Sequence, residues 1–281
     1  MSGGIFAIVV LAAVLHAVWN ALVKGGADKS TAMAAVVIGQ GLIGGATLPF
    51  VPAADPACWP YAVAAVILHL GYQWFLVAAY RIGDLTQVYP IARGSAPLIV
   101  ALVSVLVLGV DLTRMQMLSV ALIAGGIASV SLTRRGDGVF QGQAALLALV
   151  TGCFIAGYSL VDGMGARIAG VSLGYYGWVG LFNMITFCTI SAVARPGLLR
   201  RALRQYRTIV IGGGASYAAY ALVIFAFIHA PVALVTALRE TSILFALLIG
   251  VLLLKEPLNL KKVFAVCVTL SGAALMRFPR G

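Results

Sequence analysis

The chain has 281 residues, of which 62% are hydrophobic and 10% charged. Its mean hydropathy is +1.05. An ordinary soluble domain carries about 25% charged residues, so this composition excludes a soluble enzyme and points to an integral membrane protein. The 19 Lys and Arg against 8 Asp and Glu give a net charge of +11. In a soluble chain that excess would suggest nucleic acid. In a membrane protein, basic residues gathered in cytoplasmic loops are the simpler cause, and no nucleic-acid partner is expected.

A membrane-crossing helix needs roughly 20 mostly apolar residues. Cutting the sequence at charges, Pro and Gly clusters yields ten such runs: 4–23, 31–51, 58–80, 84–109, 114–132, 141–162, 172–193, 207–228, 231–254 and 259–277. The expected class is therefore an all-α integral membrane protein, embedded in the bilayer with short connections. Met1 leads straight into an apolar run without a basic n-region, so no cleavable signal is expected. Cys58, Cys153, Cys188 and Cys267 lie in or beside apolar runs without CxxC spacing. Neither a disulfide framework nor a metal site is suggested, and no cofactor is expected.

In the first span, His16, Trp19 and Asn20 fall at i, i+3 and i+4, hence on one helix face. The third span repeats that spacing with His69, Tyr72, Gln73, Leu76 and Tyr80. Polar and aromatic stripes in an apolar helix are expected to turn toward the bundle interior. They read either as the wall of a cavity or as interhelical packing, the latter worth only ~0.6 kcal/mol per side-chain bond. Trp59 and Trp74 suit the membrane interface. The fourth span carries Tyr89 just before Pro90, and Arg93 between Pro90 and Pro97, prolines that should break its start.

In the second half, the sixth span offers Tyr158 and, at its expected end, a solvated Asp162. Tyr176, Trp178 and Asn183 mark the seventh, and Trp178 is a third interface candidate. Ser216, Tyr217 and Tyr220 lie on the eighth. Gly212, Gly213 and Gly214 open that span without the Lys of a phosphate loop, so close helix packing is the better reading. His229 precedes Ala230 and Pro231 in an exposed turn. Arg239 and Glu240 lie in the ninth span, and a charge near mid-bilayer costs at least ~2.5–3.5 kcal/mol. Arg93 and Arg239 therefore either face a central cavity and hold a carboxylate or organise a gate, or form a structural pair, with Arg239 bonded to a helix end and Glu240 near the water boundary.

The fourth and ninth spans read alike. YPIARGSAPLIVALVSVLVLGVDLT and VTALRETSILFALLIGVLLLKEPLN align with Arg93 on Arg239, Leu98 on Leu244, Val105 on Val251 and Leu106 on Leu252. The same shift of 146 places Gly126 on Gly272, and a shift of 139 places Trp19 and Asn20 on Tyr158 and Ser159. Two five-helix repeats are expected, residues 1–135 and 136–281, with the seam near 134–142. An odd number of helices per repeat turns the copies opposite ways, with a central cavity between them. The loops after odd-numbered spans hold 13 basic residues, and the even loops and tails hold four. The positive-inside rule then puts loop 195–207 in the cytoplasm and both termini outside.

PIARGSAPLIVALVSVLVLG and ALRETSILFALLIGVLLLKEPL, each followed by a Gly-bearing span, resemble the two EamA-type repeats of the drug/metabolite transporter superfamily. Within it the chain looks most like the YddG-type aromatic amino acid exporters. The resemblance implies multi-pass placement in a bacterial inner membrane and export of small metabolites, above all amino acids. It also implies termini in the cytoplasm, against the charge count. The sequence departs from the pattern where Gly109, Val110 and Asp111 stand opposite the second half's Glu256.

These readings together assign a non-enzymatic transporter working by alternating access, with facilitated diffusion favoured, since few ionisable groups lie within the spans. A monomer with a small-molecule substrate is expected. The expected substrate-binding residues are His16, Trp19, Asn20, His69, Tyr72, Gln73, Tyr80, Tyr89, Arg93, Tyr158, Tyr217, Tyr220, Arg239 and Glu240. A proton-coupled drug or metabolite exporter is the alternative, with Glu240, Asp162, His16 and His69 as its relay. An intramembrane lipid-modifying enzyme would need a nucleophile or paired acid and base, and HExxH and GxSxG are absent. An ion channel would need a filter motif.

Overall fold

The computed structural model of the protein describes residues 1–25, 28–82, 85–131, 142–252 and 260–275. The described residues form helices and no strand. In chain order the α-helices are α1 (Gly3–Gly25), α2 (Lys29–Thr47), α3 (Trp59–Ile82), α4 (Leu85–Leu106), α5 (Arg114–Ser131), α6 (Gly142–Ala169) and α7 (Ser172–Ala194). They continue with α8 (Leu198–Leu203), α9 (Gly213–His229), α10 (Val232–Arg239), α11 (Ser242–Leu252) and α12 (Leu260–Leu275). Among the described residues, five segments are long and apolar enough to cross a bilayer: Gly3–Val23, Lys29–Phe50, Gly142–Ala169, Ser172–Ala194 and Thr208–His229. Ile91–Leu106 and Arg114–Ile127 are shorter apolar helices. Leu11, Leu42, Ile67, Leu102 and Leu146 are exposed on the helices' outer faces. Water tolerates such apolar faces poorly, whereas lipid does not oppose them. By length, composition and outer surface the chain is a helical membrane protein.

Small residues set the closest helix contacts. A Cβ on Gly213 would stand 2.6 Å from the Cα of Gly39, joining α9 to α2. Gly212, just before α9, packs in the same way, with a Cβ there 3.0 Å from Val36. A Cβ on Gly272 would stand 2.8 Å from Ile123, joining α12 to α5. The main pairings are α3 with α6, α5 with α12, α2 with α7, α4 with α6 and α5, and α1 with α9 and α11. Lesser pairings join α2 to α9 and α3 to α7. α2 starts on Asp28, whose carboxylate accepts from the Ser30 N–H at 3.0 Å and the Thr31 N–H at 3.2 Å. The Thr31 hydroxyl bonds it too, and these bonds hold the Asp28 carboxyl below its ordinary range.

Three sequence expectations about helix ends are corrected. The prolines do not break the fourth span: α4 continues through Pro90 and Pro97. Neighbouring helices can accommodate the backbone groups a membrane-helix proline releases. The break falls in the ninth span, where Glu240 and Thr241 separate α10 from α11. There the backbone tightens into three-residue turns: Glu240 N–H donates to Ala237 O, Thr241 to Leu238, Ile243 to Glu240 and Leu244 to Thr241, all at 2.9–3.1 Å. The Thr241 hydroxyl also donates to Leu238 O at 2.7 Å. Side-chain competition of this sort for carbonyls is what ends helices at Thr and Ser.

The third correction concerns α6, which runs to Ala169, two turns beyond the expected end at 162. Its late glycines are contact points rather than stop signals. A Cβ on Gly163 would lie 2.5 Å from Val232, and one on Gly165 would lie 2.6 Å from the Tyr175 ring. Arg167 closes the neighbouring helix end, donating to Phe227 O and Ala230 O at 2.9 Å each. The seam at 134–142 falls mostly outside the described residues, as does Glu256.

Candidate functional site

Three helix breaks or crossings bring charge into the apolar interior. α4 carries Arg93 a little over two turns from its start, α10 ends on Arg239, and Glu240 occupies the break that follows. Arg93 is 8% exposed, Arg239 2% and Glu240 0%. All three meet at one carboxylate oxygen. Arg93 Nη1 donates to Glu240 Oε1 at 3.1 Å, and Arg239 Nε and Nη2 donate to the same oxygen at 3.3 and 3.1 Å. Glu240 Oε2 accepts no hydrogen bond among the described residues. The reading of Glu240 near the water boundary is thereby corrected.

α1 closes this centre from the side. Arg93 Nη2 meets the Nε2 of His16, and His16 Nδ1 accepts from the Trp19 indole N–H at 3.2 Å. The Trp19 ring stands edge-on to His16 at 4.9 Å. Asn20, four residues on from His16, turns its amide to its own helix and donates to His16 O at 2.7 Å.

Tyrosines from α6 and α9 form the next layer. The Arg239 guanidinium lies 5.9 Å from both the Tyr158 and Tyr220 ring centroids. Such contacts stabilise a cation by about 0.5–2 kcal/mol each, more when desolvated. Tyr158 stacks on His69 at 4.1 Å and meets Tyr72 edge-on at 5.8 Å. His69 and Tyr72 come from the polar stripe of α3. Tyr217 stacks on Tyr176 at 5.2 Å and bonds the Thr47 hydroxyl at 2.8 Å.

Beyond the tyrosines lies the second charge. Asp162 is 0% exposed, so the sequence reading of a solvated Asp162 is corrected. It lies two turns inside α6, not at its end. Its Oδ2 accepts from the Tyr220 hydroxyl at 2.7 Å and meets His69 Nε2 at 3.1 Å, while Oδ1 accepts from the Tyr175 hydroxyl at 3.1 Å. Three side-chain partners of this kind compensate the cost of burying a carboxylate.

Of the sequence-expected residues, His16, Trp19, His69, Tyr72, Arg93, Tyr158, Tyr217, Tyr220, Arg239 and Glu240 share this contiguous network. The side chains of Tyr80 and Tyr89 lie outside the described residues. Sequence reasoning held Asp162 only as part of the alternative proton relay, reading it as solvated, and missed Tyr175. It also missed Gln40, whose Oε1 accepts from the Ser216 hydroxyl at 2.8 Å. Trp59 and Trp178 pack on each other at 5.3 Å, Trp178 stacks on Phe182, and Trp74 remains 54% exposed.

A cleft of about 270 Å³ lies beside the network rather than within it. Its walls are the second half of α3 (Tyr72, Gln73, Leu76), the end of α7 (Phe187, Ile190, Ser191, Arg195) and the start of α2 (Ser30, Met33). These are the ends that border the arginine-rich segment 195–207. The cleft reaches the network at Tyr72 and Gln73, and Gln73 Oε1 is buried there without a hydrogen-bond partner among the described residues. At the opposite end Tyr175, Tyr176, Tyr217 and Trp59 close the helices together.

No family model matches the sequence, and no curated protein matches it. Matches to solved structures number 28 chains. One, described only as a crystal structure of a protein, superposes with a TM-score of 0.77 over 99% of this chain and 97% of its own. Its sequence identity is 18%, so the likeness is one of fold alone.

Proposed function

We propose that the protein is a membrane transporter that exports small metabolites by alternating access, with amino acids, and aromatic ones above all, as substrates. The observation that carries this reading is the bipolar, aromatic-lined network. Two guanidiniums stand at one end, a buried carboxylate at the other, and tyrosine rings lie between. A zwitterion with an aromatic side chain matches that order: carboxylate to Arg93 and Arg239, ammonium to Asp162, ring against Tyr158 and Tyr220. Aromatic pairing contributes about 0.5–1.5 kcal/mol per pair beyond area burial.

The helix pairing supports ten spans in two inverted repeats of the drug/metabolite transporter kind. Exchange the halves, so that α1 takes the place of α6, α2 of α7, α3 of α9, α4 of α10 and α11, and α5 of α12. The pairing of α3 with α6 then becomes α9 with α1, α4 with α6 becomes α11 with α1, and α3 with α7 becomes α9 with α2. The pairings α2 with α7 and α5 with α12 map onto themselves. All of these pairings occur, while the image of α4 with α5, α11 with α12, is not among the main or lesser pairings of the described residues. An axis between two five-helix units, residues 1–135 and 136–281, is the simplest cause, and it suits a site between the repeats. A multi-pass protein of the bacterial inner membrane is the matching location.

Counterflow into liposomes containing purified protein tests the function. With an aromatic amino acid trapped inside and no pH difference, external labelled L-phenylalanine should accumulate transiently. Absence of counterflow for every amino acid would overturn the amino acid assignment. The buried pair His69 and Asp162 favours a second reading, proton-coupled export. Accumulation that requires an imposed pH gradient would select it.

A further inference from the structure

We infer that Glu240 is a tethered stand-in for the substrate's carboxylate: its own carboxylate occupies the Arg93–Arg239 site and is displaced when substrate binds. This rests on the transporter reading above and assigns the regulation of its carboxylate subsite.

The geometry of the carboxylate is lopsided. Three N–H groups from two guanidiniums converge on Oε1, while Oε2, also buried, accepts none among the described residues. A guanidinium fork is built to grip both oxygens of a carboxylate in parallel. Glu240 uses only one, so it fills the site without satisfying it. A free carboxylate able to turn in the site can present both oxygens.

The backbone allows the exchange. Glu240 does not lie within a helix: it occupies the two-residue break between α10 and α11. Arg93, by contrast, is fixed within the unbroken α4. Small changes at the break would swing the carboxylate away and leave both arginines in place. The hydroxyls of Thr236 and Ser242, on either side of the break, are also buried without hydrogen-bond partners among the described residues. Each is a donor available to a displaced Glu240 or to an incoming anion. The exchange links substrate occupancy to the joint between two half-helices, the kind of element that moves in alternating access.

A tethered competitor lowers apparent affinity by the fraction of time it blocks the site. The test is titration of the intrinsic tryptophan fluorescence of purified wild-type protein and Glu240→Gln with three probes. These are L-phenylalanine, 3-phenylpropionate, which lacks the ammonium, and L-phenylalaninamide, which lacks the carboxylate. Removing the competitor's charge should tighten both carboxylate probes about tenfold, the factor for a site blocked nine-tenths of the time. The amide should be unchanged. Glu240→Asp keeps the charge on a shorter tether and should tighten the same two probes by a smaller factor, which keeps the test open if the Gln variant does not fold. Equal or weaker binding of the two carboxylate probes in the variants would overturn the inference alone. Weaker binding of L-phenylalanine and its amide, with 3-phenylpropionate unchanged, would make Glu240 an ammonium ligand and overturn it as well. No binding of any probe to wild type or variants would overturn the transporter reading and this inference with it.

Discussion

Arg93 and Arg239 align with each other when the fourth span is set on the ninth, yet their surroundings differ. Arg93 faces His16 across from Trp19, whereas Arg239 faces two tyrosine rings. Both send N–H groups to Glu240. A lysine at 93 would keep the charge but lose the planar fork, and could not bridge His16 and a carboxylate together. Arg93→Lys should therefore slow L-phenylalanine counterflow by about tenfold or more, the scale of one lost charge-assisted bond. The binding of L-phenylalaninamide should change little. Equal loss for both compounds would mean that Arg93 supports the fold rather than the carboxylate. The arginines stood out in the sequence because a charge inside an apolar run is costly and therefore conspicuous. Asp162 did not, because two glycines and Arg167 follow it and imitate the end of a helix. Its burial depends on Tyr175 and Tyr220, which reach it from two other helices, and no local pattern encodes such a meeting.

At the scale of helices, glycine acts here chiefly by permitting contact. Gly39 and Gly213 bring α2 and α9 to backbone distance, and a Cβ on Gly39 would fall 2.0 Å from the carbonyl oxygen of Ile209. Backbone cannot yield as a flexible side chain can, so the helices must separate. Gly213→Leu should lower thermal stability in detergent by several degrees or more, on the scale of about 1–3 kcal/mol for overpacking. Gly125→Ala, on an exposed face with open space around it, is the control and should leave stability unchanged. Equal melting temperatures for Gly213→Leu and wild type would dismiss the close contact. The Gly-rich start of α9 was legible as packing because no phosphate-loop lysine follows it. The break in the ninth span was not legible. It contains neither Pro nor Gly, and it arises from competing hydroxyl and backbone bonds at Thr241 together with the pull of two arginines on Glu240. Pro90 and Pro97, the visible signals, lie in a helix that stays whole.

Across the whole molecule, the half-exchange pattern turns the cleft into a statement about motion. The cleft lies where α3 diverges from α7 and α2 near the segment rich in arginine. Exchanging the halves maps that place onto the junction of α9 with α2 and α7 at the opposite end. That junction is shut: Tyr217 bonds Thr47 and stacks on Tyr176. If the repeats trade conformations, the second state opens the Thr47–Tyr217 junction and closes the Ser191 cleft. Two cysteine reporters can read this, once Cys58, Cys153, Cys188 and Cys267 are replaced. Ser191→Cys should react with a membrane-impermeant thiol reagent applied on the side of loop 195–207, which the positive-inside rule makes the cytoplasm. Thr47→Cys should react only from the other side, and slowly while the junction is shut. Saturating L-phenylalanine should lower the first rate and raise the second, since a ligand shifts the two states in proportion to its differential affinity. Labelling of Ser191→Cys from the outside would reverse the orientation and bring it into line with cytoplasmic termini. Rates that rise or fall together would refute alternating access around this axis, because a shared axis requires one end to close as the other opens.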